Sequence, residues 1–143
     1  MPEKGASTIA GSIKGITIVI DGDTKNLNKA LADVNKKSKD LQSELRQVEK
    51  LLKLNPEDTT LLAQKHKILA EAVANSKEKL DRLKSAQEQV NEQFKRGEIS
   101  EEQYRAFQRE VTKAEQELKK FETQLKSTGM TAEQLGQKIQ GIG

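Results

Sequence analysis

The sequence predicts a mainly α-helical fold: an elongated antiparallel helical hairpin or three-helix coiled coil, with a short N-terminal β-strand and a short C-terminal helix. The 143-residue chain is 33% charged and 34% hydrophobic and has neither Trp nor Cys, a composition typical of helices with a narrow apolar face. Apolar residues recur at alternating intervals of three and four, which is the repeat of a coiled-coil stripe. β-branched residues concentrate in one short segment near the N-terminus, which favours a strand there.

The N-terminal part of the chain is predicted to be a flexible leader followed by a strand. Residues 1–12 are small and polar with two glycines, whereas residues 13–22 are rich in isoleucine and end in turn residues. Asp23 or Thr24 then offers an N-cap for the first helix of a coiled-coil domain over residues 23–127. The residues that share one face of the predicted strand are Ile16, Ile18 and Ile20.

The first long helix is predicted over about residues 25–54. Its stripe alternates by four and three and is interrupted by one polar residue, Ser38. Such a stripe is expected to pack against a partner helix and to carry self-association. Its apolar members are Leu27, Leu31, Val34, Leu41, Leu45, Val48 and Leu52.

The second helix is predicted over about residues 56–95. Asn55 is a candidate N-cap and Pro56 suits the first helical position. The stripe is weaker here, because polar residues occupy three of its positions: His66, Ser76 and Gln87. The apolar members assigned to self-association are Leu62, Leu69, Val73, Leu80, Leu83 and Val90.

The third helix is predicted over about residues 101–127. Gly97 suits the end of the preceding helix, and Ser100 with Gln103 forms a capping-box pattern; a continuous helix through Gly97 is the structural alternative. The stripe residues assigned to self-association are Tyr104, Phe107, Val111, Leu118 and Phe121. Residues 128–143 are predicted to form a short helix, with Leu135 and Ile139 inward, and a glycine-rich end.

No combination of residues indicates catalysis, a cofactor or a metal, so the chain is predicted to be non-enzymatic. His66 is the sole histidine, and with no cysteine there is no second soft ligand for a zinc site. It is interpreted as a polar stripe residue. The net charge is +3, from 25 basic and 22 acidic residues, which indicates neither a specific nucleic-acid site nor a basic patch beyond a solvated helix face. The sequence predicts no membrane segment and no small-molecule substrate.

The predicted strand has no evident partner strand within the chain. An isolated strand leaves backbone groups unpaired at both edges and is unstable in water. The segment is therefore predicted either to be disordered on its own or to pair with another copy or another protein through Ile16, Ile18 and Ile20, and pairing is favoured. A floppy apolar arm that packs on the first helix is the structural alternative.

Several segments resemble the N-terminal region of tail tape measure proteins from long-tailed phages and prophages of Gram-positive bacteria. The resemblance covers about residues 12–126. Its most specific parts are the strand with its turn, the Asn-Pro turn and the Gly-Glu-Ile-Ser turn. The matching segments are residues 12–24, 27–31, 41–48, 51–56, 62–65 and 97–104.

The resemblance implies a structural role in virion assembly. Tape measure proteins are mostly helical, lie along the tail axis, and template the polymerisation and length of the tail tube. The implied partners are tail tube, tail assembly chaperone and tail tip proteins, and the implied location is the tail interior, after assembly in the bacterial cytoplasm. Family members are generally much longer, so the resemblance implies that this chain is a fragment or a truncated open reading frame. The alternative is a host coiled-coil adaptor or assembly chaperone that binds one helical partner.

Overall fold

The computed structural model describes residues 13–128, and this part of the chain is mainly helical, as the sequence predicts. The elements, in chain order, are β1 (Thr17–Ile20), β2 (Asp23–Asn26), α1 (Leu27–Ala30), α2 (Ala32–Leu54), α3 (Thr59–Lys95) and α4 (Glu101–Ser127). The predicted leader over residues 1–12 and the predicted short helix and glycine-rich end after Thr128 lie outside the described residues.

The two strands form an antiparallel hairpin that the sequence analysis did not predict. Its register pairs Ile20 with Asp23 and Thr17 with Asn26. The two loop residues, Asp21 and Gly22, have φ values of 53° and 82°. Positive φ at both positions with the sequence Asp-Gly is typical of a type I′ turn, whose twist matches that of the flanking strands. The expectation of a single unpartnered strand is therefore wrong.

The second strand was missed because its side chains are polar and carry no hydrophobic periodicity. Its residues, Asp-Thr-Lys-Asn, are exposed except for the half-buried Asn26. The Asp-Gly turn sets the register of the hairpin. Asp23 and Thr24, which were predicted as N-cap candidates, therefore belong to β2. Asn26 is instead the N-cap of α1, since its Oδ1 accepts a hydrogen bond from the N–H of Asn28 at 2.9 Å.

The helix boundaries also differ at two further places. The predicted helix over 25–54 is interrupted at Leu31, which follows the four-residue α1, and it resumes as α2. The next helix begins at Thr59, not at residue 56, because the Asp58 Oδ1 accepts from the N–H of Leu61 at 3.0 Å and so caps it. Asn55 closes the preceding turn, where its carbonyl accepts from the N–H of Asp58 at 3.2 Å.

The chain reversal between α3 and α4 follows the prediction. Gly97 has a φ of 74°, its N–H bonds the Phe94 carbonyl, and the N–H of Glu98 bonds the Gln93 carbonyl at 2.8 Å. This pair of bonds is a Schellman motif, which stops α3. Ser100 and Gln103 then form the predicted reciprocal capping box, with distances of 2.8 and 3.0 Å. The alternative of a continuous helix is thereby excluded.

The chain divides into two compact units, and the described part of unit 1 comprises residues 13–35 and 78–115. Its core joins the hairpin, α1 and the adjoining parts of the three long helices. The large side chains that are almost wholly buried in it are Ile16, Leu27, Leu31, Leu83, Val90 and Phe107.

The described part of unit 2 comprises residues 36–77 and 116–128. Its core is a separate cluster built on the apolar stripe of α2. The buried members are Leu41, Leu45, Val48, Leu52, Ile68, Leu69, Ala72 and Phe121. Three polar side chains, His66, Asn75 and Ser76, are also buried.

The stripe on α3 is broader than predicted within unit 2. Ile68 and Ala72 are buried beside the predicted Leu69 and the partly buried Val73. A helix that packs against two others needs a wider apolar face than the narrow seam of a two-helix coil. In unit 1, by contrast, the predicted stripe position Gln87 is exposed and Ala86 is buried instead.

All seven apolar stripe residues of the first predicted helix are buried by packing within one chain. Of the remaining assigned residues, the fully buried ones are Leu69, Leu83, Val90, Phe107 and Phe121, and the half-buried ones are Leu62, Val73, Leu80, Tyr104, Val111 and Leu118. This intramolecular packing accounts for the stripes without a second chain. Self-association through them stays a prediction.

Removing the Ser76 hydroxyl is expected to stabilise the chain. Ser76 is 2% exposed and its Oγ has no hydrogen-bond partner in the described structure. Because a buried unpaired hydroxyl carries an uncompensated desolvation cost, Ser76→Ala should raise the free energy of unfolding by about 1–2 kcal/mol. Urea denaturation of Ser76→Ala and of Ser85→Ala, an exposed control on α3, separates the hydroxyl effect from helix propensity. An equal gain in both variants would contradict this explanation.

Candidate interaction site at the hairpin

Two glutamines of α3 cover the outer edge of β1. The N–H of Val19 donates to Gln89 Oε1 at 2.7 Å, and Gln89 Nε2 donates to the Val19 carbonyl at 3.0 Å. One turn further along the helix, Gln93 Nε2 donates to the Thr17 carbonyl at 2.6 Å. In an antiparallel pair, alternate residues direct their backbone groups away from the partner strand. The glutamine amides thus occupy the positions where a third strand would bind.

A third glutamine fixes the segment before β1. The Nε2 of Gln103, whose Oε1 completes the capping box of α4, donates to the Lys14 carbonyl at 2.9 Å. Gly15 allows this approach: a Cβ at that position would lie 2.8 Å from the same Nε2, and the glycine φ is 90°. A side chain there would be strained in backbone conformation and would collide with the amide.

An open groove runs between the hairpin tip and α3 within unit 1. It has a volume of about 550 Å³. Val19 and Ile20 are 51% and 36% exposed beside it, which leaves apolar surface at its rim. The lining residues are Ile18, Val19, Ile20, Lys25, Leu27, Ala30, Glu78, Asp81, Arg82, Ser85, Ala86 and Gln89. An apolar floor with a charged rim suits the docking of a side chain from a binding partner.

Arg82 ties α3 to the junction of α1 and α2 at one end of this groove. Its Nη1 donates to Asp33 Oδ1 at 2.6 Å and to the Ala30 carbonyl at 2.9 Å, while Nη2 lies 3.3 Å from Asp33 Oδ2. Glu78, one turn before Arg82, accepts from Nε and Nη2. The planar guanidinium thereby satisfies a carbonyl at the end of a helix as well as two carboxylates.

The same contact shifts two pKa values. Hydrogen bonding to Arg82 lowers the pKa of the Asp33 carboxyl from its ordinary 3.8. Hydrogen bonding to Asp33, and then to Glu78, raises the pKa of Arg82. Because the folded-state pKa of Asp33 is depressed, its contribution to stability is present above about pH 3.8 and is lost as the pH falls through the lowered value.

Asp33→Asn is therefore expected to lower the urea midpoint at pH 7 and to leave it unchanged at pH values below the folded pKa of Asp33. The comparison is urea denaturation of the wild type and the variant between pH 2 and 7. Asp81→Asn serves as the control, since Asp81 is an exposed carboxyl on α3 with no ion pair among the described residues. A constant difference between the wild type and Asp33→Asn across the whole pH range would contradict the assignment.

The residues predicted for strand pairing have different positions in the structure. Ile16 precedes β1 and is wholly buried, Ile18 is 5% exposed, and Ile20 lies at the hairpin tip. Ile18 and Ile20 pair with Lys25 and Asp23 of the same chain. Pairing through Ile18 and Ile20 is therefore intramolecular in this structure. Ile16 and Ile18 pack in the core of unit 1, whereas Ile20 is 36% exposed.

His66 belongs to unit 2. It is 6% exposed, and its Nδ1 is 3.0 Å from the Thr128 hydroxyl oxygen, which itself donates to the Leu125 carbonyl at 2.7 Å. A hydroxyl has a single proton to donate. Because the Thr128 hydroxyl donates it to the Leu125 carbonyl, the N–H at Nδ1 of His66 is the donor to the Thr128 oxygen. The histidine then fixes the last turn of α4.

Tyr104, a predicted stripe residue, stacks on Phe94 across the turn between α3 and α4. Their ring centroids lie 4.3 Å apart at an interplanar angle of 1°. The Tyr104 hydroxyl donates to Asn91 Oδ1 at 2.8 Å. The pair therefore holds the chain reversal of unit 1 together, with Phe94 still 36% exposed.

Over residues 13–128, no three His, Asp or Glu side chains are placed to hold a metal ion. None of the helices described in that range is long and apolar enough to cross a membrane. The features that the structure brings together at the hairpin are apolar surface, amides and charged groups, which suit binding.

The residues that organise this site carry no distinguishing pattern in the sequence. Gln89 and Gln93 are spaced by four and so share a helix face, but the spacing does not show that a strand lies against them. Arg82 was one basic residue among 25. Only the three-dimensional pairing distinguishes these residues from the other polar residues on the helix.

Comparisons with known proteins give no relative for this chain: no family model, no curated protein and no solved structure matches it.

Proposed function

We propose that this chain is a non-catalytic structural segment of a phage tail, the N-terminal part of a tape measure protein. The observation that supports the proposal is that two of the segments that carry the sequence resemblance are in contact in the structure. Residues 13–24 and 97–104, which are among the most specific matching segments, belong to one structural unit. Gln103 bonds the Lys14 carbonyl, and Ile99 is buried in the same cluster as Ile13 and Ile16.

This arrangement supports the resemblance because the two matching segments, which are far apart in sequence, pack in the same core. A core that both segments build requires the sequences of both to be compatible with each other. Unrelated coiled coils share heptads but have no need of a hairpin that fits a particular helix turn. The proposed role is that of a folded assembly element that contacts other tail proteins, with the hairpin groove as the docking surface.

The chain reversals within the two units argue against a role in which the extended length of this region sets the tail length. An extended helix adds about 1.5 Å per residue along its axis. Within each unit the chain reverses direction, at residues 96–100 in unit 1 and 55–58 in unit 2. Residues in antiparallel helices cannot all add to one length.

The test is to replace residues 13–128, within the intact tail gene, by a flexible linker with the same number of residues. Tails are then counted and measured by electron microscopy. The proposal expects few or no tails, because the folded element is lost although the residue count is kept. A gene carrying Lys37→Gln, a change at an exposed helix position, is the control. Tails of normal number and length with the linker would overturn the proposal.

The groove also favours a second candidate, a host adaptor or assembly chaperone that binds one helical partner. Its apolar floor and exposed Val19 and Ile20 would serve either role. The neighbouring genes discriminate between the two: tail tube and tail tip genes beside this one favour the tail protein, and their absence favours the adaptor.

A further inference from the structure

The two edges of the hairpin are protected in different ways. A two-stranded sheet has two free edges, and exposed edges pair readily with other chains unless charges, bulges or covering groups prevent it. On β2, Asp23 and Lys25 supply exposed charges. β1 has the sequence Thr-Ile-Val-Ile and no charge at all.

Uncharged β-branched strands of this kind are the ones that self-associate when they are left open. Among residues 13–128, the groups that cover the outer edge of β1 are the amides of Gln89 and Gln93. Gln89 both accepts from the N–H and donates to the carbonyl of Val19, which reproduces the bonding of a neighbouring strand. Such a bond is readily exchanged for a backbone one, because donor and acceptor types are the same.

We propose that the side-chain amides of Gln89 and Gln93 block the outer edge of β1. When these amides no longer bond this edge, β1 of one molecule pairs with β1 of a second copy. The proposal rests on this geometry and is independent of the tail function. It makes the outer edge of β1 a latent self-association surface held closed by α3.

The register of such a pair follows from the backbone directions. Thr17 and Val19 direct their backbone groups outward, so antiparallel pairing of Thr17 with Val19 of the second copy, and the reverse, would form four hydrogen bonds. Ile18 would then face the Ile18 of the second copy across a closely spaced pair. No like charges oppose each other in this register, because the strand is uncharged.

Space for a strand exists along this edge. A second groove, of about 460 Å³, follows the outer side of β1. Its strand side is lined by Thr17, Ile18, Val19 and Thr24, and its other side by Gln89 and Gln93 together with the charged residues Glu88, Glu92, Arg96 and Glu98. The proposed occupant is β1 of a second copy, because its Thr17 and Val19 present the matching outward backbone groups and its side chains add no charge beside the charged residues on the α3 side of the groove.

The experiment compares the molar mass of Gln89→Ala/Gln93→Ala with that of the wild type, by light scattering over a range of protein concentrations. The expected result is a mass that rises with concentration toward twice the wild-type value. Gln47→Ala/Gln108→Ala, which truncates two exposed glutamines on other helices, is the matched control and should behave as the wild type. An unchanged mass in Gln89→Ala/Gln93→Ala would overturn the proposal.

A third variant separates edge pairing from general loss of structure. Adding Val19→Lys to the double variant places a charge on the strand at a side chain that is 51% exposed and therefore tolerates it. A lysine on an edge strand opposes pairing, so the triple variant should return to the wild-type mass. Association that persists in the triple variant would show that a different surface is responsible and would overturn the proposal.

Hydrogen exchange at the Val19 amide gives a readout that does not depend on mass. The amide should exchange slowly in the wild type and faster in the dilute double variant, and it should regain protection at high concentration. If Gln89→Ala/Gln93→Ala fails to fold, Gln89→Ala alone serves in its place, because the Gln93 bond to Thr17 is kept. Fast exchange of Val19 at every concentration would contradict pairing through β1.

Discussion

Replacing Phe107 with alanine is expected to lower the free energy of unfolding by about 3–5 kcal/mol. Phe107 is 1% exposed and is the largest side chain in the core of unit 1. Truncation removes its apolar contacts and leaves a cavity between helix segments that are held by other contacts and so collapse only partly. The expected loss is a large fraction of the stability of a small protein.

Urea denaturation followed by circular dichroism measures this loss, with Phe94→Ala as the matched control. Phe94 is 36% exposed and contacts one ring, that of Tyr104. Its truncation should cost about 1–2 kcal/mol, from a stacking pair and partial burial. Equal losses in the two variants would contradict the placement of Phe107 in the core.

The second large effect is expected for Ile16→Asn, at about 3–5 kcal/mol from lost apolar burial together with an amide left unpaired in the core. Ile16 has no exposed surface and lies where the segment before β1 meets α1, since its carbonyl accepts from the N–H of Leu27 at 2.9 Å. The hairpin is therefore expected to detach or the unit to unfold.

Ile20→Asn is the control for Ile16→Asn, because it makes the same chemical change at the hairpin tip, where the residue is 36% exposed. Its cost should be below about 1 kcal/mol, as for most substitutions at solvated positions. Thermal unfolding of both variants is the measurement. If Ile20→Asn were the more damaging of the two, the assignment of the buried face would be wrong.

The helical part of the fold was predictable because it depends on local signals. Alternating spacing identified the stripe from Leu27 to Leu52, which covers α1 and α2, and Gly97 with the Ser100–Gln103 pattern identified the chain reversal. Both signals act over a few residues, where side-chain directions and capping bonds are fixed by helix geometry.

The hairpin was not predictable from the same kind of signal. Residues 23–26 are polar and lack any periodicity, so their strand conformation depends on the Asp-Gly turn and on the preceding strand. The bonds of Gln89, Gln93 and Arg82 depend on contacts between residues far apart in sequence. Such contacts follow from the fold as a whole and leave no local pattern.

The glutamine contacts have a consequence for synthesis of the chain on the ribosome. Gln89 follows Val19 by 70 positions and Gln93 follows Thr17 by 76. At about 5–20 residues per second, β1 of the nascent chain is synthesised roughly 4–15 s before the glutamines of α3 that cover it. During that interval the uncharged Thr-Ile-Val-Ile strand is exposed to neighbouring nascent chains on the same messenger RNA. The strand is therefore open to aggregation during translation until the glutamine amides of α3 cover it.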